Sequence, residues 1–258
     1  MNRKYMIIVK IAGGLGNQLF QLNQALELKD KYHSTFIDLD QFKRDRFDRK
    51  YHFQNRLSQV KVINPYLKNG IFKFQKILSV LNLFQFYEEN INDFTIMNKK
   101  PISYLSGYWQ EEKIPTSKNL NTFRNLFPKV DMKRDNEVCV HFRIKDYSIK
   151  LDNEYYMKCL EEFPSNYVFH LFSDDIDFLN SEAKKIFKTK NFEIKDIKDE
   201  IIAFSEMMSY KNYISSNSTF SWWSIMLNNH GHLKVTNPKV WMDDYNYKIY
   251  RPTNWILI

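Results

Sequence analysis

The chain has 258 residues, of which 43% are hydrophobic and 26% are charged, and Gly (6) and Pro (7) are scarce. This composition excludes a disordered, collagen-like or linker-rich chain and is typical of one large globular domain or two small ones. The net charge of +8 favours anionic partners such as phosphates or an anionic membrane surface.

A βαβ unit is predicted at the start of the chain. Residues 5–11 form a short β-branched run, apolar residues recur at helical spacing over 18–31, and 35–40 is a second predicted strand. A strand, a turn, a helix and a second strand imply a parallel sheet.

A second α/β pattern is predicted in the other half of the chain, where strands and helices alternate. Its predicted strands are 138–143, 167–173 and 213–215, and its helices are 152–163, 176–188, 200–210 and 217–228. Residues 41–128 are less regular, with a helix predicted over 71–87 and a strand and turn over 102–109. We therefore expect two domains, residues 1–134 and 135–258.

The chain lacks the signals of a secreted or membrane-spanning protein. The apolar run before the first glycines is too short for a signal peptide, and no run of about 18 apolar residues could span a bilayer. Cys139 and Cys159 lack the spacing of metal ligands, so no zinc site or disulfide scaffold is expected. Cys139 lies in an apolar run and is predicted to be a buried thiol. We expect a cytoplasmic protein.

A glycine-rich turn joins the first predicted strand to the first predicted helix. It reads Gly13-Gly14-Leu15-Gly16-Asn17-Gln18. Backbone N–H groups at the start of a helix bind anions, so this turn is a candidate ligand contact. Its spacing differs from the dinucleotide-binding fingerprint. Asp38 and Asp40 lie at a strand end, where carboxylates often only cap loops.

Basic side chains lie at the end of the strand predicted over 138–143. In an extended chain His141, Arg143 and Lys145 point to one face, at the edge where open α/β sheets bind ligands. Three potential cations on one face predict a diphosphate clamp, with Arg143 binding in a bidentate manner. The alternative is a solvated basic edge with a salt bridge to Asp146.

Acidic side chains follow the strand predicted over 167–173. Asp175 and Asp177 have the spacing of an Asp-x-Asp metal clamp. Ser and Asp at a strand-to-helix turn more often cap the helix, so capping by Asp174 or Asp175 is the preferred interpretation. No metal site is predicted.

Hydroxyl groups cluster at the start of the last predicted helix, which reads Asn217-Ser218-Thr219-Phe220-Ser221-Trp222-Trp223. The hydroxyls of Ser218, Thr219 and Ser221, with the N–H groups of the first turn, predict a phosphate site that needs no metal. The alternative is a helix cap followed by two core tryptophans.

These segments together resemble the bacterial α-1,2-fucosyltransferases of glycosyltransferase family 11. The turn, continued to Gln21, is similar to the N-terminal signature of the family, and His141-Phe142-Arg143 with Asp146-Tyr147 is similar to its His-x-Arg-Arg-x-Asp-Tyr motif. Residues 172–175 resemble its second block and 217–223 its Asn-Ser-Ser-Phe-Ser-Trp-Trp block. The resemblance covers essentially the whole chain, although the second arginine of the pair is Ile144 here.

The resemblance implies an α/β, GT-B-like fold with two facing Rossmann-like domains and parallel sheets. Residues 1–134 would form the acceptor side, and 135–258 would bind GDP-fucose. It also implies inverting, metal-independent transfer of fucose to a galactoside hydroxyl in α-1,2 linkage, without a cofactor, in surface glycan, O-antigen or capsule synthesis. The partners implied are a nucleotide-sugar donor and a glycan acceptor, for which a lipid-linked form is left open.

The resemblance also assigns roles to individual residues. It implies that His141 and Arg143 contact the guanine or the diphosphate of the donor. Our own hypothesis from the location of the residues is that Arg143 stabilises the leaving β-phosphate and that Asp146 is the general base, with a salt-bridge role for Asp146 as the alternative. Residues expected near the fucose and the acceptor are Gly13, Gly14, Gly16, Asn17 and Gln18. The expected donor-binding residues are His141, Arg143, Ser173, Asp174, Asp175, Asn217, Ser218, Thr219, Phe220 and Ser221.

Two alternative functions remain open at this stage. One is a metal-dependent, GT-A-like transferase that uses another nucleotide sugar with Asp175 and Asp177. The other is a non-catalytic nucleotide- or glycan-binding protein, which Ile144 favours because it removes an expected cation. Nucleic-acid binding is not expected, since no basic run or nucleic-acid motif occurs. Residues 71–87 are aromatic and carry Lys73 and Lys76, which leaves open a peripheral contact with the inner face of a membrane.

Overall fold

The computed structural model describes residues 5–31, 34–45, 49–54, 56–88, 100–110, 114–133, 135–145, 150–242 and 249–258. These residues form two compact units, Met1–Gln110 (unit 1) and Glu111–Ile258 (unit 2). Each unit contains one parallel β-sheet with helices in its connections. The predicted class of two α/β domains with parallel sheets is confirmed.

Unit 1 contains a five-stranded parallel sheet in the order β3-β2-β1-β5-β4. Its strands are β1 (Met6–Lys10), β2 (Ser34–Asp38), β3 (Lys61–Val62), β4 (Phe84–Glu88) and β5 (Ile102–Ser106). Its helices are α1 (Leu15–Lys31), α2 (Pro65–Lys73) and α3 (Gln75–Val80), and a 3-10 helix covers Asp40–Arg44. Strand β1 is central, so its consecutive residues Ile7, Ile8 and Val9 are all buried, as in parallel strands covered on both faces.

The helix predicted over 71–87 is wrong in its second half. Helix α2 ends at Lys73 and α3 ends at Val80, after which the chain enters β4. The turn between α3 and β4 depends on Asn82, whose φ of 61° is left-handed, and the Leu83 N–H donates to the Leu78 carbonyl at 2.7 Å. This geometry is a helix C-cap, for which Asn is a frequent residue.

Unit 2 contains a six-stranded parallel sheet in the order β11-β10-β9-β6-β7-β8. Its strands are β6 (Glu137–Phe142), β7 (Val168–Ser173), β8 (Asn191–Ile194), β9 (Asn212–Ile214), β10 (Lys234–Asn237) and β11 (Ile256–Leu257). Its helices are α4 (Ser117–Arg124), α5 (Asn153–Glu161), α6 (Ile176–Phe187), α7 (Glu200–Met207) and α8 (Thr219–Met226).

The core of unit 2 lies between the sheet and helices α5 and α6. Phe142 stacks on Tyr156 with ring centroids 4.0 Å apart, and Val138, Val140 and Leu160 join the same apolar cluster. Both cysteines are buried in this unit, as predicted for Cys139. Burial raises the pKa of both thiols, to about 11 for Cys159.

The two units divide at Gln110, earlier than the boundary at 134 that the sequence suggested. Helix α4 accounts for the difference because it packs on α8. The Arg124 Nε donates to the Leu227 carbonyl at 2.8 Å, and the Phe123 ring meets Trp223 edge-on with centroids 5.5 Å apart. Residues 114–133 therefore belong with the second sheet.

Each sheet has one point at which the strand order reverses. In unit 1 this point lies between β1 and β5, and in unit 2 it lies between β9 and β6. Open parallel sheets bind ligands at the carboxyl ends of the strands that flank such a point. Across the described ranges, no helix is long and apolar enough to cross a bilayer.

Candidate active site

A hydrogen bond crosses the reversal point of unit 2. His141 is near the end of β6 and Ser216 follows the end of β9, and the His141 Nδ1 lies 2.7 Å from the Ser216 Oγ. The imidazole also stacks on Phe220 of α8, with centroids 5.7 Å apart. The two strands and the helix start that carry predicted motifs are thus brought together around one ring.

The His141 ring is neutral in the folded protein. Burial, reinforced by the positive charge of Arg143, lowers the pKa of His141 from 6.5 to about 3. The prediction of three cations on one face is therefore wrong for His141, because a buried imidazole loses the hydration that its charged form needs. This ring is available for hydrogen bonding and stacking, but not for charge neutralisation.

Arg143 lies directly after β6 and keeps its guanidinium accessible. Its side chain is 26% exposed, and its Nε lies 3.6 Å from the Asp174 Oδ2. The other carboxylate oxygen of Asp174 accepts a hydrogen bond from the Ile144 N–H at 2.8 Å. Asp174 thus holds both the arginine and the backbone next to it, while the Ile144 side chain packs in the core.

The remaining acidic residues at the end of β7 serve the local fold. Asp175 caps α6 by accepting a hydrogen bond from the Phe178 N–H at 3.1 Å, which agrees with the capping interpretation. The Ser173 Oγ accepts from the Asp175 N–H at 2.9 Å. Lys145 lies 3.9 Å from an Asp175 oxygen and is otherwise exposed, so it adds positive charge at this edge.

The start of α8 is capped and largely buried. Ser218 is the N-cap residue, and its Oγ accepts from the Phe220 N–H at 3.3 Å. The Ser221 hydroxyl is buried and donates to the Ser218 carbonyl at 3.1 Å, so the predicted phosphate contact by Ser221 is not available in this structure. Thr219 and Phe220 are half-buried, and Asn217 donates to the Trp241 carbonyl at 3.4 Å.

Two further residues, one predicted and one not, belong to the description of this site. Asp146, the candidate general base, lies outside the described residues. Ser216 is a contact that the sequence analysis did not single out as a site residue, although it lies within a run of Ser and Asn that begins at Ser215. Its place after a strand, next to the reversal point, is the signal that could have identified it.

The glycine-rich turn occupies the reversal point of unit 1. Gly13 has a φ of +79°, and a Cβ there would lie 3.0 Å from the Asn17 Nδ2 and 3.3 Å from the Tyr108 ring. Gly14 has open space around it. A side chain is therefore excluded at Gly13 by both conformation and crowding, but not at Gly14.

Glutamines on α1 hold this turn in place. Gln18 is fully buried and donates from its Nε2 to the Gly13 carbonyl at 3.1 Å and to the Lys50 carbonyl at 2.8 Å. Gln21 accepts from the Ala12 N–H and donates to the Gly107 carbonyl, both at 2.8 Å. Gln18 is predicted to lie near a ligand, and in this structure its buried amide group forms its hydrogen bonds within the fold.

Asn17 and Gly14 keep a more open position. Asn17 is half-buried and accepts a hydrogen bond from the Gln110 Nε2 at 2.9 Å, whereas Gly16 is buried in the first turn of α1. Of the five residues predicted near the sugar, Gly14 and Asn17 are thus the ones with accessible surface.

A polar crevice of about 440 Å³ lies at the carboxyl edge of the unit 1 sheet. Lys68 lies buried beside it and pairs with Asp38 at 3.0 Å and with Asp40, while the Tyr104 hydroxyl donates to Asp38 at 2.8 Å. Burial alone would lower the pKa of Lys68, but the hydrogen bonds with the two aspartates outweigh it and raise that pKa. The crevice lining is Lys10, Asp38, Asp40, Gln41, Lys43, Asn69 and Tyr104.

The crevice chemistry suits a hydroxyl-rich ligand. Carboxylate groups accept hydrogen bonds from hydroxyl groups, and lysines and amides donate to hydroxyl oxygens. The predicted capping role is confirmed for Asp38, which accepts a hydrogen bond from the Asp40 N–H at 3.1 Å. The pairing of Asp38 and Asp40 with Lys68 could not be predicted, because Lys68 is distant in the sequence.

The fold and the site together define a class of protein. Two parallel-sheet units, each with polar residues at the carboxyl edge of its sheet, form a GT-B-like architecture. The GT-A-like alternative is therefore wrong as a description of this fold. The Escherichia coli heptosyltransferase WaaC with ADP-2-deoxy-2-fluoro heptose has the same fold, with a TM-score of 0.50 and 8% identity over 98% of this chain and 92% of that one.

The sequence comparison gives the family. Residues 16–258 match the family described as Glycosyl transferase family 11, and the chain belongs to this family of glycosyltransferases. An alpha-1,2-colitosyltransferase of Escherichia coli is 24% identical over 98% of this chain and 99% of that relative. The O-antigen biosynthesis glycosyltransferase WbnK of Escherichia coli is 25% identical over 95% of this chain and 98% of its own. The resemblance noted from the motifs is confirmed.

Proposed function

We propose that the protein transfers fucose from GDP-fucose to a hydroxyl of a galactoside acceptor, forming an α-1,2 linkage during surface glycan synthesis. The observation that carries this proposal is the placement of Arg143, oriented by Asp174, beside the neutral His141–Ser216 pair at the reversal point of unit 2. Family membership and a relative named for O-antigen biosynthesis support the reaction type and the glycan setting.

In the proposed reaction, an acceptor oxygen attacks C1 of the donor sugar as the bond from C1 to the β-phosphate oxygen breaks. The configuration at C1 inverts, GDP leaves, and the acceptor proton passes to a base, for which Asp146 is our candidate. Negative charge grows on the β-phosphate, and Arg143 stabilises it together with the N–H groups at the start of α8. His141 contributes hydrogen bonding and stacking.

We propose that this chemistry needs no metal. Asp175 is occupied as a helix cap, and Arg143 and Lys145 already supply positive charge at the donor edge. Within the described ranges, no group of three His, Cys, Asp or Glu side chains is arranged to hold a metal ion. We place the reaction in the cytoplasm.

Calorimetric titration with GDP, GDP-fucose, GDP-colitose and UDP, first in EDTA and then with Mn²⁺, tests the donor. We expect GDP and GDP-fucose to bind in EDTA and UDP to be silent. GDP-colitose is included because one relative is named a colitosyltransferase. Binding of GDP-colitose but not of GDP-fucose would show that the donor sugar is colitose and not fucose, and binding that requires Mn²⁺ would overturn metal independence.

Arg143→Ala tests the catalytic assignment. We expect transfer to fall about 10²- to 10³-fold, because one pre-organised charge opposite the leaving group is lost. Arg143→Lys should be intermediate, since it keeps the charge but loses the bidentate geometry. Thermal melting serves as the control for folding. Transfer near the wild-type rate in a folded Arg143→Ala protein would contradict the assignment.

We further propose that the unit 1 crevice binds hydroxyl groups of the acceptor. Asp40→Asn replaces a carboxylate by a similarly shaped amide, and we expect a roughly tenfold higher acceptor KM with unchanged GDP binding, since a charge-assisted hydrogen bond is lost. Asp177→Asn, on the exposed first turn of α6, is the matched control. Equal acceptor KM values for the two variants would contradict this role.

A further inference from the structure

An exposed apolar surface occurs on unit 1, formed by residues that the proposed reaction does not use. Val80 is 85% exposed and Ile77 is 58% exposed, and no residue of α3 is buried. Exposed apolar residues in one patch are uncommon on soluble monomers and mark interaction surfaces. We name this patch the α3 surface, and its large apolar side chains are Phe74, Ile77, Val80, Leu81, Leu83 and Phe86.

The α3 surface is held in a fixed arrangement by the core beneath it. Leu78 points inward and packs with the apolar cluster of unit 1, so that Ile77, Val80 and Leu81 face outward. Phe86, on the edge strand β4, stacks on Tyr104 with centroids 5.4 Å apart. The exposure of these apolar side chains therefore follows from the way α3 and β4 pack on the core of unit 1.

The stretch of sequence that includes the α3 surface is strongly basic. The sequence from Arg49 to Tyr87 contains no Asp or Glu. It carries seven basic residues: Arg49, Lys50, Arg56, Lys61, Lys68, Lys73 and Lys76. This stretch thus accounts for +7 of the net charge of +8, and the rest of the chain is close to neutral. Lys68 is buried and paired with Asp38 and Asp40, so it adds no exposed charge to the surface. Lys73 and Lys76 are exposed within or next to the α3 surface.

We propose that the α3 surface docks the protein on an anionic lipid bilayer. Apolar side chains would enter the boundary between headgroups and acyl chains, while the lysines contact the lipid phosphates. A second copy of this chain is disfavoured as the occupant, because it would bring one basic surface against another. This docking is independent of the donor and acceptor assignments above.

The first experiment is sedimentation of the wild-type protein with vesicles. Phosphatidylcholine vesicles are compared with vesicles that also contain phosphatidylglycerol, at low and at physiological salt. We expect binding to the anionic vesicles only, weakened by salt because the lysine–phosphate attraction is screened. Failure to bind anionic vesicles at low salt would overturn the proposal.

A matched pair of variants tests whether the α3 surface makes the contact. Val80→Asp should weaken vesicle binding roughly tenfold or more, because an inserted apolar group becomes a charge. Ile202→Asp makes the same kind of change at an exposed apolar position of α7 and should bind as wild type does. Transfer to a soluble acceptor should be unchanged in Val80→Asp, which separates docking from catalysis. Equal vesicle binding by the two variants would overturn the proposal.

A second pair of variants, which have equal net charge, tests the lysines. Lys73→Gln/Lys76→Gln should weaken binding about thirtyfold, the effect of two lysines near an anionic surface. Lys184→Gln/Lys239→Gln removes two exposed lysines of unit 2 and should retain binding.

Analytical ultracentrifugation tests whether a second copy of the chain occupies the α3 surface instead. A dimer that Val80→Asp dissociates, without vesicle binding by the wild type, would assign the surface to a second copy instead.

Discussion

At the residue scale, the Arg143–Asp174 pair shows how one carboxylate organises a site. One oxygen of Asp174 faces the guanidinium and the other accepts the Ile144 N–H, so the side chain and the backbone of the same loop are fixed together. Because the pair is partly exposed, its contribution to stability is small. Its value lies in orienting a cation toward a ligand, since an arginine fixed beforehand loses less entropy on binding.

The buried His141 gives stability a specific dependence on pH. Its pKa falls from 6.5 to about 3 on folding, so between these values the unfolded chain binds a proton that the folded protein does not. The free energy of unfolding should therefore decrease as pH falls below 6.5, by up to about 1.4 kcal/mol per pH unit from this group. Above pH 6.5 its contribution is constant.

Denaturant unfolding across this pH range measures the effect. His141→Gln should reduce the slope of the unfolding free energy against pH by an amount that corresponds to about one proton. The control His232→Gln, at an exposed position, should leave this slope unchanged. Equal slopes for wild type and His141→Gln would show that the ring titrates normally in the folded protein.

At the element scale, the turn between β1 and α1 depends on Gly13 more than on Gly14. Gly13→Ala should destabilise the protein by about 1–2 kcal/mol, because an alanine at positive φ is strained and its Cβ would crowd Asn17 and Tyr108. Gly14→Ala meets no atom within 4 Å and should change stability by less than about 0.5 kcal/mol.

Chemical denaturation of the two variants provides the comparison, with donor and acceptor kinetics as a second measurement. A stable Gly13→Ala protein would show that the turn can relax. A stable Gly14→Ala protein that loses transfer would show that a ligand, and not the fold, requires the small residue there.

How much of each element could be predicted follows from its length and its periodicity. The β1–α1–β2 unit and the strands of unit 2 that carry motifs were predicted because their apolar patterns are long and regular. Strands β3 and β11 have two residues each, which is too short for any period to show. The α3–β4 boundary was missed because the apolar pattern continues through Asn82, and the left-handed conformation of that residue ends the helix.

The site was predictable only where one motif contains all the partners. The motifs around Arg143 and Asn217 identified the strand ends, but not that His141 is neutral or that Ser221 turns inward, since both depend on burial. Gln21, Ser216 and Lys68 have partners far along the chain, so no local pattern reveals their contacts.

At the scale of the whole molecule, charge and fold are distributed differently. The two sheets share the same parallel design, yet nearly all the excess positive charge belongs to residues 49–87 of unit 1. The net charge of +8 therefore comes mainly from one stretch of the sequence. The overall architecture was predictable because strand–helix alternation persists along most of the chain, whereas the position of the division depended on where α4 packs.

The placement of the two thiols gives the protein a natural chemical reporter. Both cysteines of the chain are buried in unit 2, and unit 1 has none. A maleimide reagent can therefore modify the native protein only when unit 2 opens, and the labelling rate measures how often that opening occurs. A nucleotide that binds the native unit 2 would slow this labelling, without any engineered probe.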